Sequence, residues 1–366
     1  MKVVIACAGT GGHINPGIAI ANKIKKEDKM AKIIFIGTNR GLENDLVPRA
    51  GYELKTVEAY GLSKKINLTT IINNIKTLRS IKRAKEIMKQ FKPDIVIGTG
   101  GYICGPVILA ASKLKIPTLL HESNAFPGKA VKMLAKRVDT ILVSFNEAKP
   151  RIKNAKKIVL TGTPTKIKKM EMTSEQKEKI ISEVGLNKDK PIVLIFGGSQ
   201  GAKAINDTIV KLINSKLNRK YQIIWAPGQK QYEYVKENIK VKLEGVKIVP
   251  YIYNMEQVLN ICDLVISRSG AMTITEISKV GKPAIFVPLP NVSNNHQEYN
   301  AKVLENVEAA FIIKNDELNE NNLNRKIEQI ITSKETIEKM SNNAQKIDID
   351  NVEDKIYEEI RKLTER

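Results

Sequence analysis

The chain has 366 residues, of which 42% are hydrophobic, and its 60 Lys and Arg against 39 Asp and Glu give a formal charge of +21. That length exceeds one ordinary core and fits two domains, while the charge favours an anionic partner: nucleic acid, an acidic membrane surface or a phosphorylated substrate. Cys7, Cys104 and Cys262 are scattered, with no CxxC and no histidine at metal-ligand spacing, which argues against a zinc site or disulfide framework and for reduced cytosolic thiols.

The first apolar run, Val3 to Ala8, is too short for a secretory signal and reads as a strand. Strand-like runs then alternate with helix-length amphipathic segments: Ile33 to Ile36, Ile95 to Ile97, Thr118 to Leu120, Ile141 to Ser144 and Ile158 to Leu160. The longest apolar stretch, Pro106 to Leu120, is broken by Lys113 and Lys115 and is too short to span a bilayer, so a soluble or peripheral protein is expected. The alternation restarts at Ile192 to Phe196 and continues through Gln222 to Trp225, Lys247 to Val249, Leu264 to Ile266, Ala284 to Val287 and Phe311 to Ile313. Such alternation predicts two doubly wound α/β domains. Lys149 to Lys169 holds eight basic residues and no acidic one, with Gly162 and Pro164 inside it, and reads as a hinge between them.

Four small-residue loops come after predicted strands: Gly9 to Gly17, Gly98 to Pro106, Gly197 to Ala202, and Ser267 to Ala271, after which Ile274, Ile277 and Val280 share one helix face. Such loops seat phosphates, because the first amides of a helix lack partners inside it and the helix dipole adds positive charge there. The first loop fails the dinucleotide fingerprint, since Ile14 stands where glycine is required. Glu276, in the helix after the fourth loop, is a candidate acceptor for ribose hydroxyls, or else a solvated helix residue. The three histidines, His13, His121 and His296, fall beside strand ends or in these loops. His13 is the candidate general base, with a loop-fixing donor as its alternative role. His121-Glu122-Ser123-Asn124 is expected to come after a strand and offer polar groups, or His121 to fix that loop. The one DxD, Asp348-Ile349-Asp350, lies in a charged tail segment and reads as chance, so no metal or other cofactor is expected.

Gly61 to Lys92 carries nine basic residues against the single acid Glu86, with Leu68, Ile71, Ile72, Ile75 and Leu78 at helical spacing. Such a helix lies on an anionic bilayer or packs on its own domain. Sparse aromatic residues there argue against nucleic acid.

In order and spacing, Gly9 to Gly17, Gly98 to Pro106, His121 to Asn124, Gly197 to Ala202, Ser267 to Glu276 and His296 to Ala301 resemble the MurG family of bacterial peptidoglycan glycosyltransferases, and the resemblance covers essentially the whole chain. It implies a GT-B fold, two Rossmann-like doubly wound domains facing across a cleft, with domains at 1–163 and 164–344 and a final helix at about 345–366 packing back on the first. It implies inverting transfer of N-acetylglucosamine from UDP-N-acetylglucosamine to the 4-hydroxyl of the muramoyl sugar of lipid I, at the cytoplasmic face of the membrane. Donor contacts then fall to Thr10, Gly11, Gly12, Asn124, Lys166, Ser199, Gln200, Ile252, Met255, Ser269, Gly270, Ala271, Met272, Thr273, Glu276, His296, Gln297 and Asn300. Acceptor contacts fall to Gly12, His13, Asn15, Gly101, Tyr102 and Glu122, and membrane contacts to Ile71, Ile75, Leu78 and Arg79. Departures from the family pattern are Gly162-Thr163-Pro164-Thr165-Lys166 where Gly-Asn-Pro-Val-Arg is common, so that a bidentate arginine contact becomes a point charge, Ser123 where glutamine is usual, and His296 where the family often has another glutamine. A hydrolysing UDP-sugar 2-epimerase of similar fold, and a basic non-enzymatic scaffold for lipid or RNA, are the alternatives.

Overall fold

The structure, a computed structural model, describes residues 1–60, 68–198 and 201–365. The chain divides into two compact units, Met1–Thr165 with Ile349–Arg366, and Lys166–Asp348.

Unit 1 is built on a parallel sheet of β1 (Lys2–Cys7), β2 (Lys32–Gly37), β3 (Glu53–Thr56), β4 (Ile95–Gly100), β5 (Thr118–Glu122), β6 (Thr140–Val143) and β7 (Ile158–Leu160), in the order β3-β2-β1-β4-β5-β6-β7. Alternate residues of β1 enter opposite cores, as a strand covered on both faces requires. Val3, Ile5 and Cys7 pack with the helix Gly11–Glu27 and with Ile356, Ile360 and Leu363 of the final helix, Val352–Thr364. Val4, Ala6 and Ala8 pack toward Ala84, Ile87 and Met88 of the helix Leu68–Phe91 and toward Cys104–Lys113.

Unit 2 repeats the scheme with β8 (Ile192–Phe196), β9 (Gln222–Ala226), β10 (Val246–Ile248), β11 (Leu264–Ser267), β12 (Ala284–Phe286) and β13 (Ala310–Ile312), in the order β10-β9-β8-β11-β12-β13. Both sheets therefore reverse direction of winding between their first and fourth strands, β1/β4 and β8/β11. At such a switch point the loops beyond the strand ends diverge and leave room for a ligand. The four glycine loops sit at these two points.

Three points differ from the sequence reading, the first of them a strand it did not contain. The edge strand β3 has one apolar residue, Leu54, and carries no buried run that would mark it as a strand. The loop expected from Gly9 to Gly17 is helical from Gly11 onward, with Pro16 inside the helix. Glycine and proline read as breakers, yet here packing overrides propensity: Gly17 lies so close to the sheet that a Cβ would stand 3.0 Å from Thr99 Oγ1 and 3.2 Å from Ile5. The third concerns Lys149 to Lys169, which is not all hinge: a 3₁₀ turn at Asn146–Arg151 and the strand β7 tie most of it into unit 1.

Candidate active site

In unit 1 the switch point is organised around His13, in the first turn of its helix. Its Nδ1 lies 3.0 Å from the carbonyl oxygen of Ala8. A carbonyl only accepts, so Nδ1 carries the proton and the neutral ring keeps its lone pair on Nε2, the state a general base needs. The backbone carbonyl of His13 accepts from Thr99 Oγ1 at 2.7 Å, which ties this turn to β4. Gly100 and Gly101 have positive φ angles of 138° and 83°; a Cβ on the first would collide with the imidazole, and on the second would lie 2.5 Å from the Ala8 carbonyl oxygen. Only glycine lets β4 approach the ring this closely. Around this centre Thr10 and Asn15 are exposed, and Gly11, Gly12, Gly101 and Tyr102 half-buried.

His121 and Glu122 end β5 instead of coming after it, and both are buried. His121 Nε2 donates to the Gly162 carbonyl at 2.9 Å, and burial lowers the imidazole pKa to about 4, so it is a neutral brace and offers nothing to a substrate. Glu122 accepts from the Asn124 amide at 2.9 Å, from Asn124 Nδ2 at 3.0 Å and from the Gly128 amide at 2.6 Å. Burial pushes its carboxyl above the usual range, against the pull of those donors. Glu122 thus shapes the loop that carries Asn124 while standing within electrostatic reach of His13.

In unit 2, β11 runs into Arg268-Ser269-Gly270 and the helix Ala271–Val280, whose buried face is Ile274, Ile277 and Val280 as the spacing requires. Gly270 is the N-cap, and the amides of Ala271, Met272 and Thr273 have no carbonyl inside the helix to meet. Glu276 lies half-buried in the second turn. The turn is stapled to the helix His296–Glu305: Ser269 Oγ donates to the Gln297 carbonyl at 2.8 Å, and Asn300 Nδ2 donates to the Ser269 carbonyl at 3.2 Å. The Ser269 hydroxyl is thereby engaged, and the fully buried Asn300 braces the turn from beneath. The Leu289 amide donates to Gln297 Oε1 at 2.8 Å, so the Gln297 amino group is the end left to donate to a ligand oxygen. His296 opens its helix behind Asn295, which has a left-handed backbone. Ile252 is buried between Tyr251 and the exposed Tyr253, whose rings meet at 5.0 Å, and Met255 begins the helix Met255–Ile261. Lys166 is exposed. Ser199 and Gln200 lie outside the described residues, as do the side chains of Ile71, Ile75 and Leu78; Arg79 is exposed.

Arg268 escaped the sequence reading. Its Nη1 donates to the Val287 and Pro288 carbonyls at 2.9 and 3.1 Å, and both Nη atoms to Asn315 Oδ1 at 3.1 Å, tying together the chain ends beyond β11, β12 and β13. Its only sequence signal is a lone arginine between two serines at a strand end.

Residues 3–143 match the N-terminal domain model of glycosyltransferase family 28, and residues 192–356 match its C-terminal domain model. A protein of Thermoanaerobacter sp. (strain X514), named UDP-N-acetylglucosamine--N-acetylmuramyl-(pentapeptide) pyrophosphoryl-undecaprenol N-acetylglucosamine transferase, is 44% identical, with 100% of each chain covered. The chain belongs to glycosyltransferase family 28. A crystal structure of MurG from Acinetobacter baumannii matches this family 28 chain with a TM-score of 0.80 at 28% identity over 99% of each chain. A UDP-N-acetylglucosamine 2-epimerase from Neisseria meningitidis, solved with UDP-N-acetylglucosamine, covers 99% of this chain and 100% of its own with a TM-score of 0.66 but 16% identity, a likeness of fold alone. The protein is a glycosyltransferase of two Rossmann-like domains. Among the described residues no helix is long and apolar enough to cross a membrane.

Proposed function

We propose that this enzyme transfers N-acetylglucosamine from UDP-N-acetylglucosamine to the 4-hydroxyl of the N-acetylmuramoyl sugar of the undecaprenyl-diphosphate-linked acceptor, lipid I, with inversion at the anomeric carbon. The observation that carries this reading is the 44% identity, over the full length of both chains, to a transferase named for that donor and acceptor.

Unit 2 takes the donor. The diphosphate rests on the amides of Gly270 to Thr273, Glu276 accepts from the ribose hydroxyls, the Ile252 backbone meets uracil, and the Gln297 amino group meets a sugar hydroxyl. Unit 1 takes the acceptor near Gly101 and Tyr102. His13 Nε2 removes the proton from the acceptor hydroxyl as its oxygen bonds to the anomeric carbon; the carbon–oxygen bond to phosphate breaks, and UDP leaves with the electron pair. Helix-terminal amides stabilise the charge that grows on the leaving diphosphate. The basic helix Leu68–Phe91 holds unit 1 on the anionic cytoplasmic face, where the acceptor's lipid is anchored.

Product analysis tests the reading. Lipid I and UDP-N-acetylglucosamine incubated with the enzyme should yield a lipid-linked disaccharide with a β-1,4 linkage. An α linkage, or 2-epimerised UDP-sugar without any disaccharide, contradicts it.

A further inference from the structure

Glu43 is a fully buried carboxylate with no part in the transfer step itself. Its Oε2 accepts from the Gly9 amide at 2.9 Å, and its Oε1 accepts from the Thr38 amide at 3.0 Å and from Thr38 Oγ1 at 2.6 Å. All three partners act as donors, so the site calls for a group that accepts on both oxygens, which an ionised carboxylate does and an amide does not. Burial raises the carboxyl's pKa, but the bonds from Thr38 and Gly9 outweigh it and hold it below the usual range. The surroundings are shaped to admit this side chain: a Cβ on Gly37 would lie 2.7 Å from Glu43 Cγ, and one on Gly41 would collide with the carboxylate.

The bond to Gly9 matters because both chain neighbours of Gly9 hold His13. Gly9 has φ of 96° and its peptide is gripped from both ends, since its carbonyl also accepts from the Leu42 amide at 3.4 Å. Immediately before it stands Ala8, whose carbonyl fixes the proton on His13 Nδ1. Immediately after it stands Thr10, whose carbonyl accepts from the His13 amide at 3.0 Å and from the Ile14 amide at 3.2 Å. The Gly9 peptide is thus the joint that sets both backbone groups holding His13. We propose that Glu43 is a positioning residue for the transfer reaction: by clamping Gly9 to the end of β2 it aims the Ala8 carbonyl and so holds His13 in the tautomer that can take the acceptor's proton. This rests on the assignment of His13 as the base.

The test compares Glu43→Gln, His13→Asn and the double variant in steady-state transfer assays. It adds ¹H–¹⁵N spectra of the full chain labelled at histidine, which holds only three such residues. Glu43→Gln should lower kcat at least tenfold, and the His13 signals should move from the Nδ1–H tautomer to a mixture. In the His13→Asn background the same change should have little further effect, because both substitutions act on one step. A near-normal kcat for His13→Asn alone would remove the base assignment itself. If His13→Asn is impaired but Glu43→Gln leaves kcat and the tautomer unaltered, or its loss multiplies with that of His13→Asn, Glu43 does not act through His13. Should Glu43→Gln fail to fold, Thr38→Val, which removes one donor at nearly constant volume, should shift the same signals and lower kcat by a smaller factor; unchanged spectra and kcat would overturn the proposal.

Discussion

The Ala8 carbonyl holds the proton of His13 on Nδ1, as the proposed role of general base requires, and two glycines whose missing side chains let β4 close on the ring set its reach. General-base catalysis typically contributes roughly 100-fold or more, so His13→Asn should lower kcat by about that factor while the fold persists; near-normal turnover contradicts the assignment. His121 makes a different prediction. Its pKa falls from an ordinary 6.5 to about 4 on folding, so between those values the unfolded chain binds the proton that the folded chain refuses. Stability contributed by the neutral ring is intact above pH 6.5 and is lost as pH falls toward 4, by about 3 kcal/mol in total. Denaturant unfolding of wild type should show that slope, and His121→Gln, which keeps a donor for Gly162, should flatten it. At this scale the sequence was informative where chemistry is local. Histidines, glycines and small residues after strands announce themselves, and all four loops fall at the switch points. Glu43 and Arg268 were illegible, because Gly9 for the one, and Val287, Pro288 and Asn315 for the other, lie just beyond the ends of other strands and are distant in sequence, brought near only by the parallel pairing.

At the scale of elements, the strands were legible from apolar runs bounded by turn residues, and the misses have physical causes. β3 lies at an edge and needs no apolar run. The start of the helix Gly11–Glu27 was hidden by Gly11, Gly12 and Pro16, residues tolerated there because the helix is held by packing on β1 and β4. Which domain the last helix packs on could not be read from periodicity alone. In the structure it docks on Gly11–Glu27 through Ile356, Ile360 and Leu363, with Lys23 paired to Asp354 at 2.5 Å and the buried Glu359 paired to Lys157 at 2.5 Å and Lys362 at 2.9 Å. Ile360 is fully buried, so Ile360→Ala should destabilise unit 1 by about 3 kcal/mol, seen as a lower denaturation midpoint. A loss within a few tenths would mean that the helix is not integral to that core.

At the scale of the molecule, the charge is unevenly shared. Lys and Arg outnumber Asp and Glu by 33 to 17 in unit 1 but only by 27 to 22 in unit 2. Attraction to an anionic surface therefore belongs chiefly to unit 1, which also carries the helix Leu68–Phe91. Binding to anionic vesicles should weaken steeply with added salt, and replacing Ile75 and Leu78 by serine should weaken it further with the fold intact; unchanged binding would detach membrane association from this helix. The net charge alone left nucleic acid, membrane and phosphorylated substrate open, and it was the order and spacing of six motifs, spread over both units, that pointed to a UDP-sugar-dependent glycosyltransferase.

The most direct test of transfer to a lipid-linked acceptor is UDP release from UDP-N-acetylglucosamine, measured with and without a short-chain lipid I analogue in the presence of EDTA. Release should depend on the analogue and persist with the chelator. Release that is equal without the analogue, or none with it, would contradict that reaction.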